Sequence, residues 1–304
     1  LTPGVLILTG PTASGKSALA LHLAEHFDAE IVGADSRQIY GGMEIGTAAP
    51  SAADRARVPH HLVGFLDPRE RYSAARYVRD ALAAIDEIHA RGKRAIVVGG
   101  TGFYVRSLAG DVSLSPVRDE ALRERLAHEV RVHPTEALAE WLTSLNATLA
   151  ARVPAGDPYR LTRALEIALA DRDGVPVLTE STADNLRVRG ITYRKLYLDI
   201  DREVLAERIA LRTDAMLANG LIDEAERIGP DVVAADAVGY REALAYRAGW
   251  STYDALRAHL ARNTRRYAKR QATWFRVEPD LMRIAADDRA AAFAAAALLP
   301  GWGA

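Results

Sequence analysis

The stretch Gly10-Pro11-Thr12-Ala13-Ser14-Gly15-Lys16-Ser17 constrains this chain more than any other. It follows the apolar run Val5-Leu6-Ile7-Leu8, which reads as a buried parallel strand, and precedes Ala18 to Ala24, which reads as a helix. Strand, G-x-x-x-x-G-K-[ST] and helix together make a P-loop in its structural setting. Successive backbone N–H groups in such a loop converge on an anionic oxygen, and the helix N-terminus adds partial positive charge. Lys16 brings a point charge to the same phosphates, and Ser17 carries the hydroxyl that such loops offer to Mg²⁺. Gly10 to Ser17 are therefore expected to hold a phosphate or diphosphate; the loop alone leaves open which.

The remaining pattern alternates strands and helices. Ala29 to Gly33 reads as a strand ending at Ala34-Asp35-Ser36, and Ala95 to Val98 as another, running into Gly99-Gly100-Thr101-Gly102. A carboxylate just past a strand's C-terminal end faces the ligand crevice of an open α/β sheet, which singles out Asp35. From position alone it is a base, a Mg²⁺ ligand or a helix cap. An ordinary P-loop ATPase would end a strand like 95–98 in Asp to hold Mg²⁺, and the Gly-Gly-Thr here weakens that reading. Residues 37–59 read as loop with about one helical turn, 60–63 as a short strand, and 72–91 as a helix closed by Gly92. His60 and His61 point to opposite strand faces with no third ligand nearby, so they read as structural.

From about Ser115 the composition shifts to charged helical segments at 117–130, 134–145 and 158–169. They predict a helical insertion over 115–190, between the two parts of a core at 1–114 and 191–304. Strands at 193–200 and 281–284 and helices at 202–218, 222–228, 240–248 and 253–276 complete that core. The expected fold is α/β: a P-loop NTPase-like core with a parallel sheet, plus the helical insertion.

Lys and Arg number 39 against 40 Asp and Glu, so a local excess of cations stands out. Residues 257–277 hold Arg257, Arg262, Arg265, Arg266, Lys269, Arg270 and Arg276 without a single acid. Arg262, Arg266, Lys269 and Arg270 share a face by spacing. A solvated charge run and a nucleic-acid face both fit; the interleaved Tyr267, Trp274 and Phe275 favour nucleic acid, because aromatics stack on bases. The absence of Cys rules out disulfides and thiolate metal sites and fits a reducing, cytoplasmic setting. No apolar run approaches a membrane span, so no membrane partner is expected.

Several segments together resemble the tRNA dimethylallyltransferases, also called tRNA isopentenyltransferases. They are the P-loop, Ala34-Asp-Ser-Arg-Gln-Ile-Tyr40, Gly42-Met-Glu-Ile-Gly-Thr-Ala48, Pro59-His-His-Leu62, Val98-Gly-Gly-Thr-Gly-Phe-Tyr104, Arg163-Ala-Leu-Glu166, Val238-Gly-Tyr-Arg-Glu242 and Thr264 to Arg276. One departure is Ala49, where the family usually has Lys. The resemblance implies prenyl transfer from dimethylallyl diphosphate to N6 of the adenosine 3′ of a tRNA anticodon, with Mg²⁺ as cofactor and a monomeric enzyme. It makes Asp35 the general base, Lys16 and the P-loop the diphosphate site, and Thr101 an orienting residue. It also implies that the flipped base reaches the diphosphate through a channel between the core and the insertion. The anticodon-loop site would be lined by Asp35, Ser36, Arg37 and Gln38; by Tyr159, Arg160, Leu161, Thr162 and Arg163; by Val238, Gly239, Tyr240 and Arg241; and by Lys269, Arg270, Gln271, Thr273, Trp274 and Arg276, with Thr101 beside the adenosine. An adenylate isopentenyltransferase and a small-molecule P-loop kinase are the alternatives; neither needs a basic aromatic C-terminal helix.

Overall fold

A computed structural model describes residues 2–112, 120–154, 156–172 and 184–303. The chain divides into two compact units, one of residues 1–112 with 184–304 and one of residues 113–183.

The first unit is built on six parallel strands: β1 (Val5–Thr9), β2 (Ala29–Gly33), β3 (His60–His61), β4 (Arg94–Val98), β5 (Tyr193–Asp199) and β6 (Leu281–Ala285). Their order across the sheet is β3-β2-β4-β1-β5-β6. β1 is buried along its whole length, as an unbroken apolar run between two covered faces must be. Its neighbours run in register with it, Leu8 opposite both Val98 and Leu196. The chain leaves β1 toward one side of the sheet and later crosses back to β5 on the other. The C-terminal ends of β1 and β4 therefore open onto the crevice where such sheets bind ligands.

Helices α1 (Lys16–Phe27), α2 (Glu44–Thr47), α3 (Ala52–Arg57) and α4 (Ala74–Ala90) connect the first four strands, and α5 (Gly102–Ala109) follows β4. Segment 37–59 holds two short helices where the sequence suggested a loop with about one turn. Both depend on side chains rather than periodicity. The buried Glu224 accepts from the N–H groups of Ile45 (2.9 Å) and Gly46 (2.8 Å), and Ser51 with Asp54 forms a capping box on α3.

The second unit contains α6 (Glu120–Val132), α7 (Thr135–Leu145), α8 (Ala147–Ala150) and α9 (Pro158–Arg172), closed around Leu126, Leu138, Leu142, Leu161 and Leu165. Of the helix expected over 117–130, residues 117–119 lie outside the described ones. The expected end of this insertion at 190 is corrected to 183. Leu186 is fully buried in the first unit and donates its N–H to the Leu108 carbonyl at 2.9 Å, and Arg189 pairs with Asp86. Those contacts lie far apart in sequence, which is why a polar stretch read as part of the insertion.

After β5 come α10 (Arg202–Ala218), α11 (Leu221–Ile228), α12 (Tyr240–Arg247), α13 (Tyr253–Phe275) and, past β6, α14 (Arg289–Ala297). α1 and α14 share a core with the sheet through Leu19, Leu23, Ile96, Leu196, Ile284 and Trp302. A second core, with Met43, Leu217, Leu221, Tyr240, Leu256 and Leu260, ties α10 to α13 to the segment after β2. His61 donates from Nε2 to the buried Glu30 carboxylate at 2.7 Å, a structural role as expected of that pair.

Candidate active site

The P-loop leaves β1 at Gly10 and enters α1 with Gly15 at the N-cap. No side chain caps this helix and its first turn holds no acid, so its first N–H groups remain open to an anion. The Lys16 ammonium folds back onto the loop, donating to the carbonyls of Gly10 (2.9 Å) and Pro11 (2.7 Å). Burial drives its pKa down to about 7; Asp35 pulls it up and Arg212 pushes it further down. An anion arriving beside Lys16 restores its full charge. Ser17 is exposed in the first turn, and its hydroxyl makes no hydrogen bond among the described residues.

Asp35 follows β2. Its Oδ1 accepts from the N–H groups of Arg37 (2.9 Å) and Gln38 (3.4 Å), an Asx turn that fixes the carboxylate plane. Its Oδ2 has no hydrogen-bond partner among the described residues. Thr101, after β4, accepts from Ser36 N–H at 2.9 Å, so the Gly-Gly-Thr-Gly loop holds the segment carrying Asp35. Gln38 in turn donates to the carbonyls of Thr47 and Ala48, each at 3.1 Å.

These pieces surround a cavity of about 520 Å³, lined among others by Lys16, Asp35, Arg212, Tyr267, Arg270 and Gln271. Two of its cations carried no signal in the sequence. Arg208 and Arg212, one turn apart on α10, reach the carbonyls of Ser14 and Thr47, each at 3.2 Å. The Arg212 Nε is buried without a hydrogen-bond partner among the described residues, and burial lowers the guanidinium pKa while Asp35 opposes that. Their i, i+4 spacing was visible, but only the parallel pairing of β1 and β5 brings α10 beside the P-loop. Tyr267 also lines the cavity, its pKa raised by burial and by Asp35, so it stays a neutral phenol.

Other residues expected to line an RNA site separate into two groups. Arg37, Gln38, Val238 and Arg270 line the cavity, and Ser36 and Thr101 adjoin it through their mutual hydrogen bond. Tyr159, Arg160, Arg241, Lys269, Thr273 and Arg276 are exposed, and Thr162 and Arg163 are half-buried. Arg160 pairs with Asp157 at 3.2 Å and Arg163 with the buried Glu166 at 2.6 Å.

Four of the residues expected to contact RNA, Leu161, Gly239, Tyr240 and Gln271, are buried, Gln271 at the cavity wall, and Trp274 is half-buried. Leu161 is in the core of the helical unit. Gly239 and Tyr240 are buried, the phenol donating to Glu224 (2.7 Å) and the Met43 carbonyl (3.1 Å). Gln271 is 5 % exposed and engaged on both ends of its amide. Trp274 packs against Gly102, where a Cβ would come within 2.0 Å of its ring, and the Arg106 guanidinium covers it at 4.7 Å. For Tyr240 and Gln271 a partner distant in sequence takes the polar group that the sequence left looking available.

The basic helix α13 has two stripes. Leu260, Thr264, Tyr267 and Gln271 face the cavity. Arg262, Arg266, Lys269, Thr273 and Arg276 are exposed and lie about 200° around the helix, two residues out of phase at 3.6 residues per turn. None of those four cations pairs with a carboxylate among the described residues, whereas Arg257 is held by Asp214. Arg270 lies between the stripes, lining the cavity with its guanidinium 5.6 Å from the Tyr267 ring.

Residues 38–278 match the family described as IPP transferase. The chain belongs to that family. A tRNA dimethylallyltransferase of Geobacter sulfurreducens is 42% identical over 280 residues, spanning 90% of this chain and 89% of that protein. A tRNA dimethylallyltransferase 1 of Citrifermentans bemidjiense is 44% identical over 282 residues, 91% of this chain and 90% of its own. The crystal structure of a full-length tRNA isopentenylpyrophosphate transferase from Bacillus halodurans superposes with a TM-score of 0.66 at 35% identity, covering 93% of this chain and 90% of that one. The expected P-loop NTPase-like α/β fold and the family resemblance both stand. No helix among the described residues is long and apolar enough to cross a membrane.

Proposed function

We infer that this chain transfers a dimethylallyl group from dimethylallyl diphosphate to N6 of the adenosine 3′ of the anticodon in tRNA. The observation that carries the reading is the juxtaposition, in one cavity, of an uncapped P-loop with Lys16 and a carboxylate with one immobilised and one free oxygen. In this reaction the N6–C1 bond forms while the allylic C–O bond breaks. Negative charge grows on the departing diphosphate, where the loop amides, Lys16, Arg208 and Arg212 oppose it. Adenine N6 is a weak nucleophile and must shed a proton as the bond forms. Oδ2 of Asp35 takes that proton, while Oδ1 stays tied to the Arg37 and Gln38 amides. The inner stripe of α13 lines the cavity with Leu260 and Tyr267, and Met216 and Val238 add apolar surface for the prenyl chain.

The cofactor reading is Mg²⁺. Among the described residues no three carboxylates or imidazoles cluster to hold a metal. The donor set fits a hard cation shared with substrate: the unengaged Ser17 hydroxyl at the P-loop, diphosphate oxygens and water. When bound, the ion neutralises charge on the leaving group. The reading also assigns a monomer acting on tRNA in the cytoplasm. Its test is incubation of the protein with dimethylallyl diphosphate, Mg²⁺ and unmodified tRNA, followed by nucleoside mass spectrometry. N6-prenyladenosine confirms it; unmodified adenosine, with ATP turnover in the absence of RNA, replaces it with a kinase.

A further inference from the structure

One buried amide joins three separate pieces of this site. Gln271 projects from the inner stripe of α13 with 5 % of its surface exposed. Its Oε1 accepts from the Thr12 N–H in the P-loop at 2.8 Å, and its Nε2 donates to the Gly100 carbonyl at 3.1 Å. A Gln amide offers an acceptor and a donor on one rigid plane. Both of its ends are used here, on loops that leave adjacent strands. Gly100 adjoins Thr101, which accepts from Ser36 next to Asp35. The fit is close: a Cβ on Gly100 would fall 2.0 Å from the Gln271 Nε2. Hydrogen bonds, joined by the Gly100–Thr101 peptide link, thus run from the phosphate loop through Gln271 to the segment that carries the carboxylate.

We propose that Gln271 is a positioning residue: it sets the separation between the diphosphate cradle and Asp35, and touches neither the diphosphate nor the adenosine. This rests on the prenyl-transfer reading above. The leaving group is held by one loop and the proton acceptor by another, so a shift of one loop against the other misaligns attack without removing any reacting group. A displacement near 1 Å can cost about 10²-fold in rate. An amide that merely filled space would be replaced well by Met, of similar length, and one that contacted RNA would show its loss in RNA affinity.

The test compares wild type with Gln271→Met, Gln271→Glu and Gly100→Ala in single-turnover prenylation of an anticodon stem-loop, alongside separate titrations with inorganic diphosphate and with the stem-loop. Gln271→Met is expected to slow the chemical step by about 10- to 100-fold, with both dissociation constants within about 3-fold of wild type. Gln271→Glu keeps the acceptor for Thr12 but loses the donor to Gly100, so its rate should fall between the two. Gly100→Ala pushes the amide out from the other side and should reproduce the Met phenotype. Adding Gln271→Ala to it should cost little more, because both changes break one bracket. This last comparison also protects the test if one variant folds poorly. Unchanged single-turnover rates, a loss confined to RNA affinity, or additive losses in the Gly100→Ala, Gln271→Ala double variant each overturn the proposal. A wild-type protein that binds both ligands and transfers no prenyl group instead overturns the reaction assignment on which it rests.

Discussion

Two sets of cations stand on neighbouring helices, and the fold gives them opposite surroundings. Arg208 on α10 reaches the P-loop carbonyl of Ser14 and Arg212 the Thr47 carbonyl in the same cavity, and the Arg212 Nε is buried without a hydrogen-bond partner among the described residues. Arg262, Arg266, Lys269 and Arg276 on α13 turn to solvent on the helix face away from the cavity. A guanidinium at the first place acts at short range on a few oxygens in a low-dielectric pocket, and its loss is felt as a lost contact. A cation at the second acts through the salt atmosphere on whatever polyanion lies along the helix, and its loss is felt in a slope. The same residue types therefore predict different experiments.

Asp35, which lines the same cavity as Lys16 and Arg212, gives the largest expected effect. Asp35→Asn keeps the shape of the group but cannot accept the N6 proton, so single-turnover prenylation should fall by about 10²–10⁴ with both substrates still bound. A near-wild-type rate removes Asp35 from proton transfer; lost diphosphate binding with normal chemistry at high Mg²⁺ moves it to the metal.

The inner cations come next. Arg212→Ala removes charge-assisted contacts of about 1.5–3 kcal/mol, so diphosphate affinity should drop by about 10- to 150-fold while stem-loop affinity barely moves. Equal losses for the two ligands would erase the distinction between α10 and the outer face of α13.

Lys16 sharpens the comparison through pH. With its folded value near 7, well below its value of 10.5 in an unfolded chain, Lys16 is charged in both states at pH 6. Between about pH 7 and 10.5 only the unfolded chain keeps the proton, so this residue favours folding more as pH rises through that window. Bound diphosphate is expected to reverse the shift by holding the ammonium charged. Binding at pH 8 should therefore take up about one more proton in wild type than in Lys16→Met, and the difference should vanish at pH 6. Calorimetry in buffers of different ionisation enthalpy reads it; equal uptake by the two proteins shows that Lys16 is charged before the ligand arrives.

The smallest effect is expected at the outer stripe. Each phosphate contacted on a single strand adds about 0.7 to the slope of log affinity against log salt, so replacing Arg266 and Lys269 together by Ala should flatten it by about one unit. All tRNAs should weaken alike and the melting temperature should hold, because exposed charges contribute little stability. An unchanged slope means that RNA does not reach the face of α13 opposite the cavity, and that only Arg270, between the stripes, serves it.

Much of the site was legible because its chemistry is written in local spacing. Strand, glycine loop and helix announced the cradle, and the position of Asp35 past β2 announced a carboxylate in the crevice. The role of Thr101 came through family resemblance. What escaped was what long-range packing decides. Tyr240 looked like a contact for RNA and is instead buried against Glu224; Trp274 looked like a stacking platform and covers Gly102. Gln271 sat in a basic run and gave no sign of being turned inward.

The sequence by itself determined that a phosphate-binding loop opens a parallel α/β core, that a helical segment interrupts it, and that one late helix carries an excess of positive charge. Those are properties of neighbours along the chain, set by periodicity, glycine positions and composition. The tertiary structure alone decided which side of that helix faces the cavity, that α10 brings two arginines to that cavity, and that one glutamine ties its helix to two loops. The reason is physical: a side chain's role depends on solvent exclusion and on partners brought close by the sheet order, and Thr12 and Gln271, bonded at 2.8 Å, are 259 residues apart.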